Sequence, residues 1–221
     1  MELNFNNAGL CDYKEMWSYQ QKVHDSVKSK KLESGKPTSD HEIIFVEHPH
    51  VYTLGKRGDE HNLLVQEAYL EQLGAQLFRI DRGGDITYHG PGQLVCYPII
   101  DLEFFKMGVK AYVDFLEESV IRVLSQYSII ASRKAGATGV WLDVGSVGAR
   151  KICAIGVKVS RGVTMHGLAL NVNTDNSYFQ HINPCGFNSN GVTSMEKELG
   201  RVVSMEEVTD SMKQEFRMIL E

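Results

Sequence analysis

Between Ile129 and Val172 the chain carries a succession of strand-sized apolar runs: Ile129-Ile130, Gly139-Val140-Trp141-Leu142, Ile152–Val159 and Met165–Val172. Short runs rich in β-branched and aromatic residues suit a pleated, half-buried surface. Strands grouped in this meander-like way, broken elsewhere by a few helices, predict an α+β fold rather than a regular βαβ array. Further strands are read at Ile43–Val46, Val51–Leu54, Gln76–Ile80, 85–89 and 93–100. Leu10, Tyr13, Trp17, Val23 and Val27 recur at helical spacing and predict a helix over 10–32, ended by Gly35-Lys36-Pro37. A short helix covers Glu67–Leu73 before Gly74, and a long amphipathic one runs from Val109 to Tyr127. Thr193 with Glu196, and Ser204 with Glu207, place a hydroxyl and a carboxylate three apart, the capping-box pattern, ahead of two C-terminal helices. No repeat, low-complexity stretch or linker interrupts the chain, so a single domain over 1–221 is expected.

Composition narrows the function classes. The 43% hydrophobic and 23% charged fractions of the 221 residues are those of a globular protein, large enough to dispense with disulfide or metal staples. A formal charge of −5 argues against a general nucleic-acid binder, which carries a basic excess. No apolar run approaches the ~20 residues of a membrane-spanning helix. The Met-Glu-Leu-Asn-Phe-Asn start has no leader character, so a cytoplasmic protein away from membranes is expected. Cys11, Cys96, Cys153 and Cys185 are widely spaced without a C-x-x-C pair and read as free thiols. No H-E-x-x-H motif or Cys/His cluster announces a metal; His48 and His50 flank Pro49 and read as turn residues, so no metal or other cofactor is expected.

Three segments can carry chemistry. The first is Arg82-Gly83-Gly84-Asp85-Ile86-Thr87-Tyr88-His89-Gly90-Pro91-Gly92-Gln93. Glycine lets a backbone approach a ligand closely or take positive φ, and loops on rigid scaffolds carry function. A plain hairpin with tight turns would also account for the glycines and the proline, leaving Arg82, Tyr88 and His89 as ordinary surface or packed residues. The pattern matches neither a G-x-x-x-x-G-K-[ST] phosphate loop nor a dinucleotide G-x-G-x-x-G. The second segment, Ile182-Asn183-Pro184-Cys185-Gly186-Phe187, sets a cysteine in a loop, whereas Cys96 and Cys153 sit inside apolar strand patterns. A lone loop cysteine is more often inert than catalytic; reactivity requires a neighbour such as His89, His166 or Lys151 to lower its pKa. The third, Arg150–Arg161, reads first as an exposed strand with a basic face, although Gly148 and Gly156 bracket Lys151 and would let a ligand come close.

Together these residues resemble the lipoyl(octanoyl) transferase family. The resemblance rests on Glu47-His48-Pro49 with Tyr52-Thr53-Leu54-Gly55, the Arg82–Gln93 segment and Thr138-Gly139-Val140-Trp141. It continues through Lys151-Ile152-Cys153-Ala154-Ile155-Gly156, His166–Asn173 and Asn183-Pro184-Cys185-Gly186, in order over about 43–200, with Asn176 a minor departure. The resemblance implies the fold of biotin and lipoate protein ligases, a mixed β-sheet with packed helices. It implies transfer of octanoyl from octanoyl-acyl carrier protein to a lysine of apo lipoyl domains, by a monomer. Acceptors would be the glycine-cleavage H protein and acyltransferase subunits of 2-oxoacid dehydrogenases. Residue by residue, Cys185 matches the acyl-thioester nucleophile and Lys151 the residue that lowers its pKa. Arg82, Gly83, Gly84, Asp85, Ile86, Thr87, Tyr88 and His89 match one substrate-binding stretch; Ala154, Ile155 and Gly156, and Gly167, Leu168 and Ala169, match two more. Thioester-to-amide transfer is downhill and requires no ATP. Backbone N–H groups around Ala154–Gly156 are expected to polarise the thioester carbonyl, and Arg133, Lys134, Arg150 and Arg161 to offer a docking patch for an acidic carrier. The competing readings are an ATP-using lipoate-protein ligase, an amidotransferase between lipoyl domains, and a carrier-binding module without turnover. ATP requirement, donor choice and an acyl-enzyme tell them apart.

Overall fold

The computed structural model describes residues 3–183 and 191–220. Strand β1 (Asn4–Leu10) leads into helix α1 (Tyr13–Ser34). Asp12 caps α1, its carboxylate accepting from the Lys14 and Glu15 amides, and Gly35 at φ +65° closes it. Next come β2 (Glu42–Glu47), β3 (Val51–Leu54), α2 (Glu67–Gln72), β4 (Gln76–Arg79), β5 (Ile86–His89) and β6 (Gln93–Ile99). After α3 (Val109–Gln126), four strands run β7 (Ser132–Lys134), β8 (Ala137–Leu142), β9 (Arg150–Ser160) and β10 (Val163–Asn171). Two helices, α4 (Met195–Leu199) and α5 (Met205–Leu220), complete the described chain.

The large sheet has the order β1-β2-β6-β10-β9-β8-β7, antiparallel except for the parallel β1–β2 pair. A small sheet, β4-β3-β5, is parallel between β3 and β4. The mixed sheets and packed helices are those expected of an α+β fold, and β7–β10 form the meander. Alternation along the strands splits the large sheet into two faces. Phe45, Leu94, Cys96 and Leu170 pack against Leu116 and Val123 of α3 and Met212 and Phe216 of α5. Val46, Val95, Tyr97 and Ala169 point the other way, where Met16 and Val27 of α1 cover part of them. The small sheet keeps a separate core of Tyr52, Leu54, Leu70, Ile86 and Tyr88 with Phe179 and Ile182. It meets the large sheet where the Gly83 N–H donates to Val157 O (2.9 Å). Among the described residues no helix is long and apolar enough to cross a membrane.

Four local readings change. The Arg82–Gln93 segment is no hairpin: β5 pairs with β3, while β6 lies between β2 and β10, so the Gly-Pro-Gly turn carries the chain from one sheet to the other. The polar Asn4–Leu10 run is an edge strand whose alternation is broken by a register shift between Asn7 and Gly9; Leu10, counted with the first helix, belongs to it, and α1 begins at Tyr13. Ile129-Ile130 is not a strand; Ile129 is buried, Ile130 is 90% exposed, and β7 begins at Ser132. Thr193 does not cap α4. The Glu196 N–H that its hydroxyl would have to accept goes to Val172 O (2.8 Å), and the hydroxyl itself donates to Glu198 Oε1 (2.5 Å), so the helix starts one residue later with Ser194 as the cap. Ser204 caps α5 as expected, accepting from the Glu207 amide (3.2 Å).

Candidate functional site

Between the two sheets lies a cavity of about 590 Å³, within the roughly 300–1,000 Å³ of sites for small organic ligands. Ala154, Gly156, Gly167 and Ala169 of β9 and β10 line it, with Val95 and Tyr97 of β6 and Tyr13 of α1; the 82–87 segment and His89 form the facing wall. The glycines create this space by what they lack. A Cβ on Gly156 would come within 2.8 Å of Gly83 O and 2.9 Å of Arg82 Cδ, so the wall sits directly on bare β9 backbone. A Cβ on Gly167 would collide with the Cys96 carbonyl oxygen of β6. Ile155 and Leu168 turn into the core beneath α3 and meet the cavity from that side.

The wall is rigidly pinned. Arg82 is buried, and its Nη2 donates to Thr53 O (2.6 Å) and Thr53 Oγ1 (2.9 Å) while Nη1 reaches Gly83 O (3.0 Å). Gly84 takes φ +88°, leaving Asp85 to accept from Asn62 Nδ2 (2.6 Å) and from the Ile86 amide (2.7 Å). Asp81, one residue earlier, is clamped by Lys158 Nζ (2.5 Å) and His166 Nε2 (3.1 Å), which hold its carboxyl well below the usual carboxylate range. Thr87 and His89 line the cavity. Tyr88 does not: its ring fills the small-sheet core and its hydroxyl meets His50 Nδ1 (2.7 Å). His50 in turn stacks on Tyr178, and His48 is buried between Cys11 O and the Tyr97 hydroxyl, so both ring systems are structural as well as near a turn.

His89 stacks on Tyr13, and its Nδ1 pairs with Gln93 Oε1 (2.8 Å); Gln93 Nε2 donates onward to Asn171 Oδ1 (2.8 Å). Burial holds His89 down to about 3, His48 to about 4 and His41, packed on Phe104 and Phe105, to about 4. In the unfolded chain each titrates near 6.5. The folded state therefore binds fewer protons, and stability falls as pH drops below about 6.5 and levels off near the folded values. Each ring adds a slope of up to about 1.4 kcal/mol per pH unit. The expected result is a Tm that is level above pH 7 and falls steeply from pH 6.5 to 4.5; a level Tm through that window would contradict the neutral burial of these rings.

Lys151 reaches the cavity through a bulge. Val140 pairs with Cys153 but Trp141 pairs with Lys151, so Ile152 is an extra residue on β9. Ile152 and Cys153 both enter the helix-side core, and Lys151 thereby shares the cavity face with Ala154 and Gly156. Its ammonium lies 4.8 Å from the centre of the Trp141 ring, and Trp141 is fixed by its Nε1–H to Ala137 O (2.9 Å). Gly191 and Val192 line the cavity beside it, and Val192 bridges to Lys151. Cys185 lies outside the described residues. The three described cysteines are all poor nucleophiles: burial pushes Cys153 up to about 12 and Cys96 well above its ordinary value, and burial with Glu15 and Asp12 raises Cys11. Among the described residues no cluster of His, Cys, Asp and Glu has the arrangement of a metal site.

Three of the basic residues expected as a docking patch have local partners, and the fourth sits in a turn. Arg133 pairs with Glu117 and Glu118, Arg150 with Asp143 and Glu198, Lys134 lies over the Trp141 ring, and Arg161 turns the β9–β10 hairpin at φ +52°. Tyr13, Trp141 and Asn62 are site residues that sequence reading passed over. Tyr13 looked like one more apolar position of a helix, and Trp141 like one more strand residue.

A family profile described as the lipoyl protein ligase A/B catalytic domain matches residues 12–217. An octanoyltransferase of Bacteroides fragilis is 56% identical over 207 residues, covering 94% of this chain and 93% of its own. Among solved structures, a lipoate-protein ligase A bound with ATP superposes with a TM-score of 0.74 at 16% identity, over 100% of this chain and 86% of that one. A biotin protein ligase from Aquifex aeolicus, in complex with biotin and ATP, gives 0.55 at 12% identity, over 98% and 70%. The structural likenesses establish the biotin and lipoate ligase fold; the profile and the bacterial relative establish the family and the octanoyltransferase activity. The chain belongs to the lipoyl protein ligase A/B catalytic-domain family and is one of its octanoyltransferases.

Proposed function

We propose that the chain, acting in the cytoplasm as a monomeric single domain over 1–221, takes octanoyl from octanoyl-acyl carrier protein. It passes the group to a lysine of apo lipoyl domains, including the glycine-cleavage H protein and the acyltransferase subunits of 2-oxoacid dehydrogenases. In the first step the Cys185 thiolate attacks the donor thioester carbonyl. The carrier sulfur leaves as a thiolate and takes its proton from protonated Lys151, which becomes the neutral amine, and octanoyl is held as a thioester on Cys185. In the second step the acceptor amine attacks that thioester, an amide forms, and the Cys185 sulfur is released as thiolate. The proton lost by the amine goes to Lys151 in its neutral form. Protonated Lys151 in turn stabilises the thiolate for the next cycle. No ATP enters the balance.

The observation that carries this reading is Lys151 itself. A cation that ordinary alternation would bury is turned by the Ile152 bulge onto the cavity face, and its carbonyl accepts the N–H of Thr193 (3.0 Å), which is eight residues after Cys185 in the sequence. The upward shifts at Cys11, Cys96 and Cys153 disfavour each as the thiolate and support Cys185 as nucleophile. The apolar and backbone surface of Ala154–Gly156 and Gly167–Ala169 suits an eight-carbon chain, and we assign carbonyl polarisation to the N–H groups of the Ala154–Gly156 stretch.

Intact-protein mass spectrometry tests it. After mixing with octanoyl-acyl carrier protein without ATP, the wild type should carry one octanoyl group, lost on adding apo lipoyl domain, and Cys185→Ser should carry none. An adduct that survives in Cys185→Ser, or octanoylation that needs ATP and free octanoate, would overturn the proposal.

A further inference from the structure

Helix α3 buries an acid in its packed face. Glu117 is 6% exposed and sits beside Leu116 and Val120. A buried carboxylate is costly unless its oxygens are satisfied. Here both are used, and on different strands. Oε2 accepts from Arg133 Nε of β7 (3.1 Å), and Oε1 accepts the Gly139 N–H of β8 (2.9 Å).

Gly139 is the unusual member of this set. It holds φ +121°, a conformation side chains rarely adopt, and a Cβ there would lie 2.5 Å from Cys153 O and 3.4 Å from Lys151 Cε. The bare face of Gly139 is therefore the surface along which the Lys151 stem runs before its ammonium reaches the Trp141 ring. The bulge at Ile152 falls immediately beside this position, so regular ladder pairing is interrupted where the peptide most needs an anchor. The anchor is the Glu117 carboxylate.

We propose that Glu117 is a positioning residue for Lys151: by accepting the Gly139 N–H it fixes the kinked peptide against which the lysine stem packs. The proposal deepens, and rests on, the catalytic reading of Lys151. Without the acceptor, the Gly139 N–H is a buried unpaired donor and its peptide is free to turn, which moves the surface under Cε.

Glu117→Ala should lower kcat for octanoyl transfer roughly 10- to 100-fold, as ångström-scale misplacement of a reacting group does, with KM for the apo lipoyl domain nearly unchanged. Glu117→Gln keeps an oxygen for the Gly139 N–H but loses the ion pair with Arg133, and should recover most of the wild-type kcat. Equal losses in the two variants would assign the effect to the Arg133 ion pair and overturn the proposal. So would a wild-type kcat in folded Glu117→Ala. If Glu117→Ala does not fold, Glu117→Asp, shorter by one methylene, carries the same comparison. Lys151→Met measured alongside separates the two failures. An active Lys151→Met defeats the reading of Lys151, whereas an inactive one beside a normal Glu117→Ala defeats only the positioning role.

Discussion

Lys151→Met is expected to lower kcat for octanoyl transfer by roughly 10²- to 10⁴-fold, the range spanned when a positioned acid–base group is removed. Methionine keeps an unbranched apolar stem that can lie along Gly139 and Trp141, so the fold and the cavity lining are preserved while the ammonium is lost. Two defects are combined. Under the proposed mechanism the Cys185 thiolate loses a stabilising positive charge, and the incoming acceptor amine loses the base that takes its proton. Alkylation of Cys185 by iodoacetamide as a function of pH isolates the first, and its midpoint should move up in the variant. Single-turnover transfer from pre-acylated enzyme isolates the second. A midpoint and a transfer rate both equal to wild type would remove Lys151 from catalysis.

The second large effect is on stability. Gly167→Ala inserts a methyl group where β10 passes the Cys96 carbonyl oxygen of β6, in the middle of the large sheet. The contact is backbone, so no side chain can rotate away, and a Cβ is also only 2.8 Å from Pro98 Cδ. Overpacking of this kind costs about 1–3 kcal/mol, and more when the neighbour cannot yield. For a chain of this size that corresponds to a Tm lower by roughly 2–4 °C for each kcal/mol. A thermal melt of the variant that overlays the wild type would mean that β6 and β10 can separate there without penalty.

These effects differ in how visible their causes are in the sequence. Gly167, Gly156 and the Arg82–His89 wall are conspicuous because glycine and charge interrupt apolar strand patterns, and their clustering follows from β9 and β10 being adjacent in the chain. Most strands from β2 to β10 were legible because β-branched residues alternate or run together in them; β7, Ser132–Lys134, has none, and the Ile129-Ile130 run beside it drew the strand to the wrong place. What was hidden is long-range. The partition of β5 and β6 between two sheets depends on pairing with β3 and β2, which local turn chemistry does not specify. Thr193 looked like a cap because its hydroxyl is correctly spaced from Glu196, but the Glu196 N–H is taken by Val172 O, a residue 24 positions earlier in the chain. Tyr13 and Trp141 were read as packing residues since aromatic lining and aromatic core have the same pattern. The local partners of the basic residues were hidden for a related reason: Arg133 and Arg150 meet acids on α3 and α4, which a run of bases along the chain cannot reveal.

The single extra residue at Ile152 also sets the kind of genetic change this strand can absorb. A β-ladder has only two faces, so parity is a binary quantity: removing one residue between Cys153 and Lys151 would bury the lysine and present its neighbour to the cavity, with no intermediate outcome. Substitutions leave that parity untouched. The exposed connection from Asp143 to Ala149, by contrast, lies outside the ladder and can change in length without altering which side chains face inward. Descendants of this chain are thus free to vary the length of that connection, while an insertion or deletion of one residue at the start of β9 exchanges the face on which Lys151 lies.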